Sequence, residues 1–413
     1  MYRIALPLGL AALLVSSSAS AIKVPTGTDD INLNINVLLQ ARYEGTFEQS
    51  VERSFDSDFF LRRARLQASG TAFKTISFLI QLDNSNQGKR GSPTSVAGAS
   101  NPAFVQDLVI GWTPFEDFTI EGGLLLIPNS RILGLSASGG QVQVEAPLDV
   151  IFHNLDRGNR MDGVQLRGFL LGKRIGYRVA ALEGFHSTQV AASTGATTPI
   201  NPGGKPLLAT HVRFNLIGDE TGYAYNAMYM DGKPRASIGG GLQYQPKAAC
   251  PNTVTNCSLV GAGTPAATAT VNDYWFGGGD FFVDLPVPGQ NDMEFSADGG
   301  VFRWDYGDNY NRTGKAYAGS LNFRFGQIAA FVSAYKYGSD AGFPHTADRK
   351  KIAGGLVYFV TPRSHASKIT LELNSITPGT AGAPSTTAPA SSPSGLNGAN
   401  STTAIWLQGQ AAF

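Results

Sequence analysis

The stretch INLNINVLLQARYE, residues 31 to 44, sets Ile31, Leu33, Ile35, Val37, Leu39 and Tyr43 against Asn32, Asn34, Asn36, Gln40 and Arg42. Period two sustained this long places one greasy and one wet face on an extended strand, which a helix cannot do. The same pattern runs through KTISFLIQLD, DGVQLRGF, KITLELNS and the terminal TAIWLQGQAAF. Strands of about ten residues with opposed faces suit a tilted membrane-spanning barrel. Water-soluble sandwiches alternate as well, so alternation alone leaves both architectures open.

Connection lengths separate them. Strands are expected near 31–44, 57–70, 73–84, 103–113, 117–127, 161–170, 174–184 and 207–216, then near 235–245, 272–285, 292–305, 316–325, 327–337, 349–361, 365–376 and 402–413. Short links such as TA, TPFED and GKR alternate with long ones, including NQGKRGSPTSVAGASNPA, residues 128–160, 246–271 and 377–401. An even set of about sixteen antiparallel strands, with short turns at one end and long loops at the other, predicts an all-β transmembrane barrel over residues 22–413. GYAYNAMYMDGK is read as a longer turn, because counting it as a strand would make the total odd.

The N-terminus agrees with export. MYRIALPLGLAALLVSSSASA has one early cation, a short apolar run and an Ala-Ser-Ala ending, the layout of a signal peptide over residues 1–21. A membrane anchor is the alternative; the apolar run falls short of a spanning helix. With 32 Lys plus Arg against 31 Asp plus Glu, no bulk attraction to nucleic acid is expected. Only 2 of the residues are Cys, and no His-rich or HExxH pattern marks a metal or cofactor site.

The segments SDFFLRRARLQASG, FLIQLDNS, RMDGVQLRG with YRVAALEG, RASIGGGLQYQ and WLQGQAAF resemble, in order and spacing, the phosphate-selective porin O/P family of Gram-negative outer membranes. The most specific element is the F-x-L-R-R-A-R-L strand. The resemblance implies a trimeric, sixteen-stranded, water-filled channel in outer-membrane lipid. It also implies passage of small hydrophilic solutes or inorganic anions, with a long loop folded inward. The family's selectivity rests on a dense inward cation array. Here the stretch 128–160 carries Arg131, Arg157 and Arg160 as its only cations, a sparser array.

In the strand DFFLRRARLQASG, placing Phe60, Ala64, Leu66 and Ala68 toward lipid puts Arg63 and Arg65 in the lumen and leaves Arg62 on the lipid side. The same parity gives lumen cations Arg42, Arg167, Arg178, His211, Arg213, Arg235, Arg324 and Lys368. Lumen carboxylates are Asp83, Asp107, Glu121, Asp280, Asp284, Glu294, Asp298 and Glu372. Two roles stay open for the arginines: acting on passing ions, or stiffening the wall through ion pairs.

Residues 128–160 form the candidate constriction, with Ile132, Leu133, Leu135, Val142 and Val144 as apolar anchors and Arg131, Glu145, Arg157 and Arg160 as pore-facing candidates. Packing against a neighbouring subunit is the alternative for this loop. Cys250 and Cys257 are a candidate loop disulfide in an oxidising compartment. Residues 382–403 are low-complexity and polar. The chain is expected to be a passive channel rather than an enzyme. The rivals are a barrel with a plugged lumen serving a structural or adhesive role, or a rim-site hydrolase using His153, His186 or His345.

Overall fold

The computed structural model describes residues 22–28, 30–48, 55–89, 103–145, 159–185, 187–190, 197–200, 204–249, 272–290, 292–307, 313–340, 349–378 and 402–413. The expected signal peptide, Arg157, Cys250, Cys257, His153, His186, His345 and the low-complexity stretch lie outside the described residues, apart from residues 402 and 403 of that stretch.

Sixteen strands close into one antiparallel barrel. In chain order they are β1 Ile31–Glu48, β2 Phe55–Ala72, β3 Ile76–Gln87, β4 Phe104–Phe115, β5 Phe118–Leu126, β6 Arg160–Leu170, β7 Ile175–Leu182 and β8 Leu207–Ile217. The second half comprises β9 Arg235–Ala249, β10 Asn272–Pro286, β11 Met293–Asp305, β12 Gly314–Phe325, β13 Ile328–Ser339, β14 Arg349–Phe359, β15 Ser367–Pro378 and β16 Thr402–Ala412. Each strand pairs with its sequence neighbours, and β16 closes on β1 in register Gln410 with Gln40 and Thr403 with Phe47. Closure leaves no unpaired sheet edge, the condition for a sheet in hydrocarbon.

The last residue is part of that closure. Phe413 and Val37 exchange backbone hydrogen bonds at 3.0 and 2.6 Å. Just below them a short strand, Ile22–Val24, pairs with Leu33–Ile35 and continues the sheet where β16 has run out.

The alternation in the sequence becomes an inside-out partition. On β8, Leu208, Val212 and Phe214 stand exposed, while His211 and Arg213 between them are buried. Exposed Leu, Ile, Val and Phe continue around most of the circumference, far more apolar surface than a water-soluble monomer presents. Apolar outside and polar inside is the partition of a membrane barrel.

Strand β2 departs from simple parity. On β2, Gln40 pairs with Arg63 but Ala41 pairs with Leu61, so Arg62 is an extra residue in a β-bulge. The bulge resets the face of everything before it. Phe60, expected toward lipid, is buried inside and Phe59 is exposed instead. Arg62, also expected on the lipid side, turns inward together with Arg63. That relieves the desolvation a lipid-facing guanidinium would suffer, about 2–4 kcal/mol at the midplane.

Among the described residues, two connections enter the barrel. From the long-loop end, the segment after β5 turns in over residues 127–145, where Leu135, Val142 and Val144 are buried. From the short-turn end, the connection between β8 and β9 turns up, burying Tyr225, Met228 and Met230. It forms no barrel strand, in keeping with its reading as a turn. The two meet: Ala137 donates its N–H to the Tyr225 carbonyl at 2.8 Å, Tyr225 to Leu135 at 2.8 Å and Ala227 to Gly140 at 3.0 Å.

Their packing is that of a small core. Val142, Ala227, Met228 and Met230 pack on Phe331, Val357 and Phe359 of the wall, and Val144 on Ala404 and Trp406. Ile132 and Leu133 join an inner aromatic wall that includes Phe276, Phe302, Trp304 and Tyr335. At about 1.5–3 kcal/mol for each fully buried aliphatic side chain, the apolar contacts offset part of the entropy cost of ordering these segments.

Candidate functional site

Charged wall residues hold both inward segments, mostly by their backbones. Asp280 accepts the Arg131 N–H at 2.9 Å and Glu372 the Val144 N–H at 2.7 Å, fixing the segment from the long-loop end. Asp284 and Glu294 accept the consecutive N–H groups of Tyr229 and Met230 at 2.8 and 2.9 Å, fixing the one from the other end. Cations supply the complementary contacts. Lys368 donates to the carbonyls of Gly139 (3.1 Å) and Gln141, and Arg178 to those of Gly222 (3.3 Å) and Tyr223 (2.6 Å). Irregular backbone at membrane depth needs such partners, because it has no ladder and little water.

Glu145 is the hub of one side. Its carboxylate takes Arg62 Nε at 2.5 Å, Arg63 Nη2 at 2.8 Å and Arg42 Nη2. Burial by itself would push the Glu145 carboxyl up, but Arg62, Arg63 and Arg42 together hold it well below the usual carboxylate range. Arg42 also meets Glu44 at 3.1 Å and lies 5.1 Å from the Trp406 ring.

On the opposite flank Arg131 pairs with Glu220 at 3.0 Å and reaches Asp298 at 3.9 Å, its guanidinium 3.4 Å from the Phe282 ring centroid. Arg213 stands 3.5 Å from the other Glu220 oxygen. These cations outweigh the burial of Glu220 and lower its titration. Further wall pairs are Arg324 with Glu294 (3.2 Å), Lys351 with Glu372 (3.2 Å) and His211 with Asp280 (3.6 Å). Arg235 turns to Asp231 at 2.6 Å near the short-turn end.

Three pairs between neighbouring or nearby wall strands leave the cation more exposed than the acid. Arg65 with Asp83 (2.9 Å), Arg160 with Asp107 (3.1 Å) and Arg167 with Glu121 (2.6 Å) lie on the wall formed by β2 to β6. Their guanidinium side chains are 11, 15 and 24% exposed, their carboxylates only 1, 4 and 3%. In each the acid is sunk into the wall and the cation is the more exposed partner, Arg65 also donating from Nη1 to Ser138 Oγ of the inward segment. Directly across the strand from Arg167 stands Arg178. Arg178 lacks an acidic partner among the described residues, and its Nη1 lacks any hydrogen-bond acceptor there. Like charges opposed on neighbouring strands repel, and Tyr223, 5.6 and 5.4 Å from the two guanidiniums, sits over both.

The strand residues expected in the lumen therefore all face the interior: Arg42, Arg63, Arg65, Arg167, Arg178, Arg213, Arg235, Arg324 and Lys368 with Asp83, Asp107 and Glu121. The interior joins Arg131 and Glu145 to opposite walls, while Arg160 stays with Asp107. Arg62, Lys351 and Glu220 also belong to these networks and were not expected there. Parity on the RKK run offered a signal for Lys351; the bulge at Arg62 and the inward path of Glu220 left none.

Glycine makes room for the inward chain. A Cβ on Gly241 would lie 1.7 Å from the Asn129 carbonyl oxygen, so only glycine lets the segment press against β9 there. Gly241 thus serves close packing of the inward segment on β9.

No family model matches the chain, and no curated protein matches it in sequence. Solved structures do resemble it. The outer membrane channel DcaP of Acinetobacter baumannii superposes with a TM-score of 0.53 at 11% identity, covering 95% of this chain and 100% of that one. OmpF of Salmonella typhi, solved with daunomycin, gives 0.52 at 9% identity over 94% and 100%. An anion-selective porin from Comamonas acidovorans gives 0.50 at 10% identity over 93% and 100%. Similarity at such identities concerns the fold. The likeness to porins extends to the barrel, and the narrower resemblance to the phosphate-selective family remains one of sequence segments.

Proposed function

We propose that the chain is an outer-membrane porin of a Gram-negative bacterium, a passive channel for small hydrophilic solutes with a preference for anions. The observation that carries this reading is the orientation of the Arg65, Arg160 and Arg167 pairs. Each is neutral as a pair, yet in each the positive end is more exposed to the interior space than the negative end, which is sunk into the wall. A passing ion feels the nearer charge more strongly, and in a narrow pore screening over about 10 Å at 0.1 M salt leaves that difference effective. Anions are thereby favoured, with phosphate or similar oxyanions within the class because guanidiniums bind them by paired hydrogen bonds.

The inward segments set the bore. Residues 127–145, with the connection between β8 and β9 beneath them, restrict the free space to the β2–β6 side in this reading, and a constriction there governs conductance. Trimeric assembly, export through residues 1–21 and a Cys250–Cys257 disulfide complete the proposal, on the strength of sequence pattern and of the porin likeness.

The contact between the two inward segments favours a second reading, a closed barrel with a structural role. Planar-bilayer recording on the refolded full chain separates the two. Discrete channels whose reversal potential in a KCl gradient reports anion preference support the porin. Absence of conductance from a folded barrel supports the plug. Cation preference overturns the selectivity while leaving the channel.

A further inference from the structure

Among the described residues, the outer face carries a basic patch at the long-loop end. At the long-loop end of β11 to β14, Arg303 stands directly opposite Lys315, Lys336 opposite Tyr317, and Lys350 opposite Lys336. All four cations are exposed, and the next outward residues toward the short-turn end, Val301, Tyr317 and Ile352, are exposed and largely apolar. The patch therefore lies on the border of the apolar belt.

Its charge is only partly answered. Arg303 meets Asp340 at 2.8 Å and Asp305 at 3.8 Å. Lys315, Lys336 and Lys350 take no ion pair among the described residues, and Lys336 and Lys350 repel as direct cross-strand neighbours. The rim is not basic throughout. Corresponding outward positions are Asp162 and Glu183 by β6 and β7, and Ser375, Thr377 and Thr403 on β15 and β16.

We propose that Lys315, Lys336 and Lys350 bind the phosphates of a phosphorylated glycolipid in the leaflet at the long-loop end, with the acyl chains lying along the belt beneath. Adjacent strands are about 4.8 Å apart, so the three ammonium groups can close on one phosphate or bridge two. A lipid carries its charge at the border and its apolar part below, in the same order as this surface. A second copy of the chain fits less well, since Asp162 and Glu183, the acids it would bring at this height, are engaged within their own chain. The proposal rests on the reading that the barrel spans a membrane, and not on its conductance.

Native mass spectrometry tests it on the refolded full chain in detergent. The probes are lipid A with both phosphates, dephosphorylated lipid A and inorganic phosphate, alongside the variant Lys315→Gln/Lys336→Gln/Lys350→Gln. Expected are adducts with the diphosphorylated lipid, at least about tenfold fewer with the variant, and none retained with the other two probes. Equal adducts with the variant or with dephosphorylated lipid A overturn the proposal. Retention of inorganic phosphate instead identifies a free-anion site, and loss of oligomers with unchanged lipid binding identifies an interface between copies; both also overturn it. Bilayer recording of the same variant separates this inference from the channel reading, because its conductance is expected to equal that of the parent.

Discussion

Arg62 reaches Glu145 at 2.5 Å because a bulge between Leu61 and Arg63 turns two successive arginines to the same side of one strand. A local irregularity in the wall thus supplies the anchor for a segment that crosses the interior.

Replacing Glu145 by Gln should show how strong that anchor is. The substitution leaves Arg42, Arg62 and Arg63 crowded and buried without their shared counter-charge, and removing one member of a buried ion cluster typically costs about 3–5 kcal/mol. The barrel ladder is untouched, so heat-modifiable migration on gels should persist. The inward segment should loosen, which raises single-channel conductance and speeds protease cleavage between residues 127 and 145. Parental conductance and parental cleavage would show that Glu145 does not hold the segment.

Gly241→Ala tests the same segment from the other wall. The added methyl would meet the Asn129 carbonyl at 1.7 Å, a backbone atom, so the segment must move rather than a side chain adapt. Destabilisation of about 1–3 kcal/mol is expected from such overpacking, with altered conductance in a folded barrel. Equal stability and conductance would mean that Asn129 does not rest on β9.

Acid should weaken the fold at His365. This residue lies in the connection between β14 and β15, with Nε2 2.8 Å from the Met228 carbonyl of the inward connection. Burial, then the neighbouring Lys368 ammonium, push its imidazole down to about 3 against an ordinary 6.5, while the Met228 carbonyl works the other way. A value depressed in the folded state means that the neutral ring is favoured there. The stability it contributes is whole above about pH 6.5 and is lost as the pH falls toward 3. Thermal unfolding from pH 7 to 4 should show a steeper fall for the parent than for His365→Asn. Coincident profiles would remove His365 from the acid response.

The barrel was legible in the sequence because most of each strand keeps period two, and one face of each strand must be apolar. That is why Arg42, Arg65, Arg167, Arg178 and Arg213 could be assigned to the interior without coordinates. Arg62 and Phe60 could not, since a bulge is a single extra residue and leaves the composition of the strand unchanged. Nor could Glu220 or Tyr225: their connection was recognisable as a turn, but its inward path depends on carboxylates of β10 and β11 and on Arg178, all distant in sequence. Partnerships across the interior, such as Glu145 with three arginines of two strands, likewise follow from three-dimensional closure and not from any local pattern.

The central claim is that the water-facing guanidiniums of Arg65, Arg160 and Arg167 give the channel its preference for anions. The most direct measurement is the reversal potential in a tenfold KCl gradient, recorded for the parent and for Arg65→Gln/Arg160→Gln/Arg167→Gln at low salt and again near 1 M. Glutamine keeps the strand's polar face, and the sunk Asp83, Asp107 and Glu121 then become the charges that a passing ion meets. The account predicts an anion-selective parent and a variant shifted toward cations, more strongly at low salt, because screening shortens from about 10 Å at 0.1 M to about 3 Å at 1 M. An unchanged reversal potential in a folded, conducting variant would contradict it and leave these arginines as ion-paired struts of the wall.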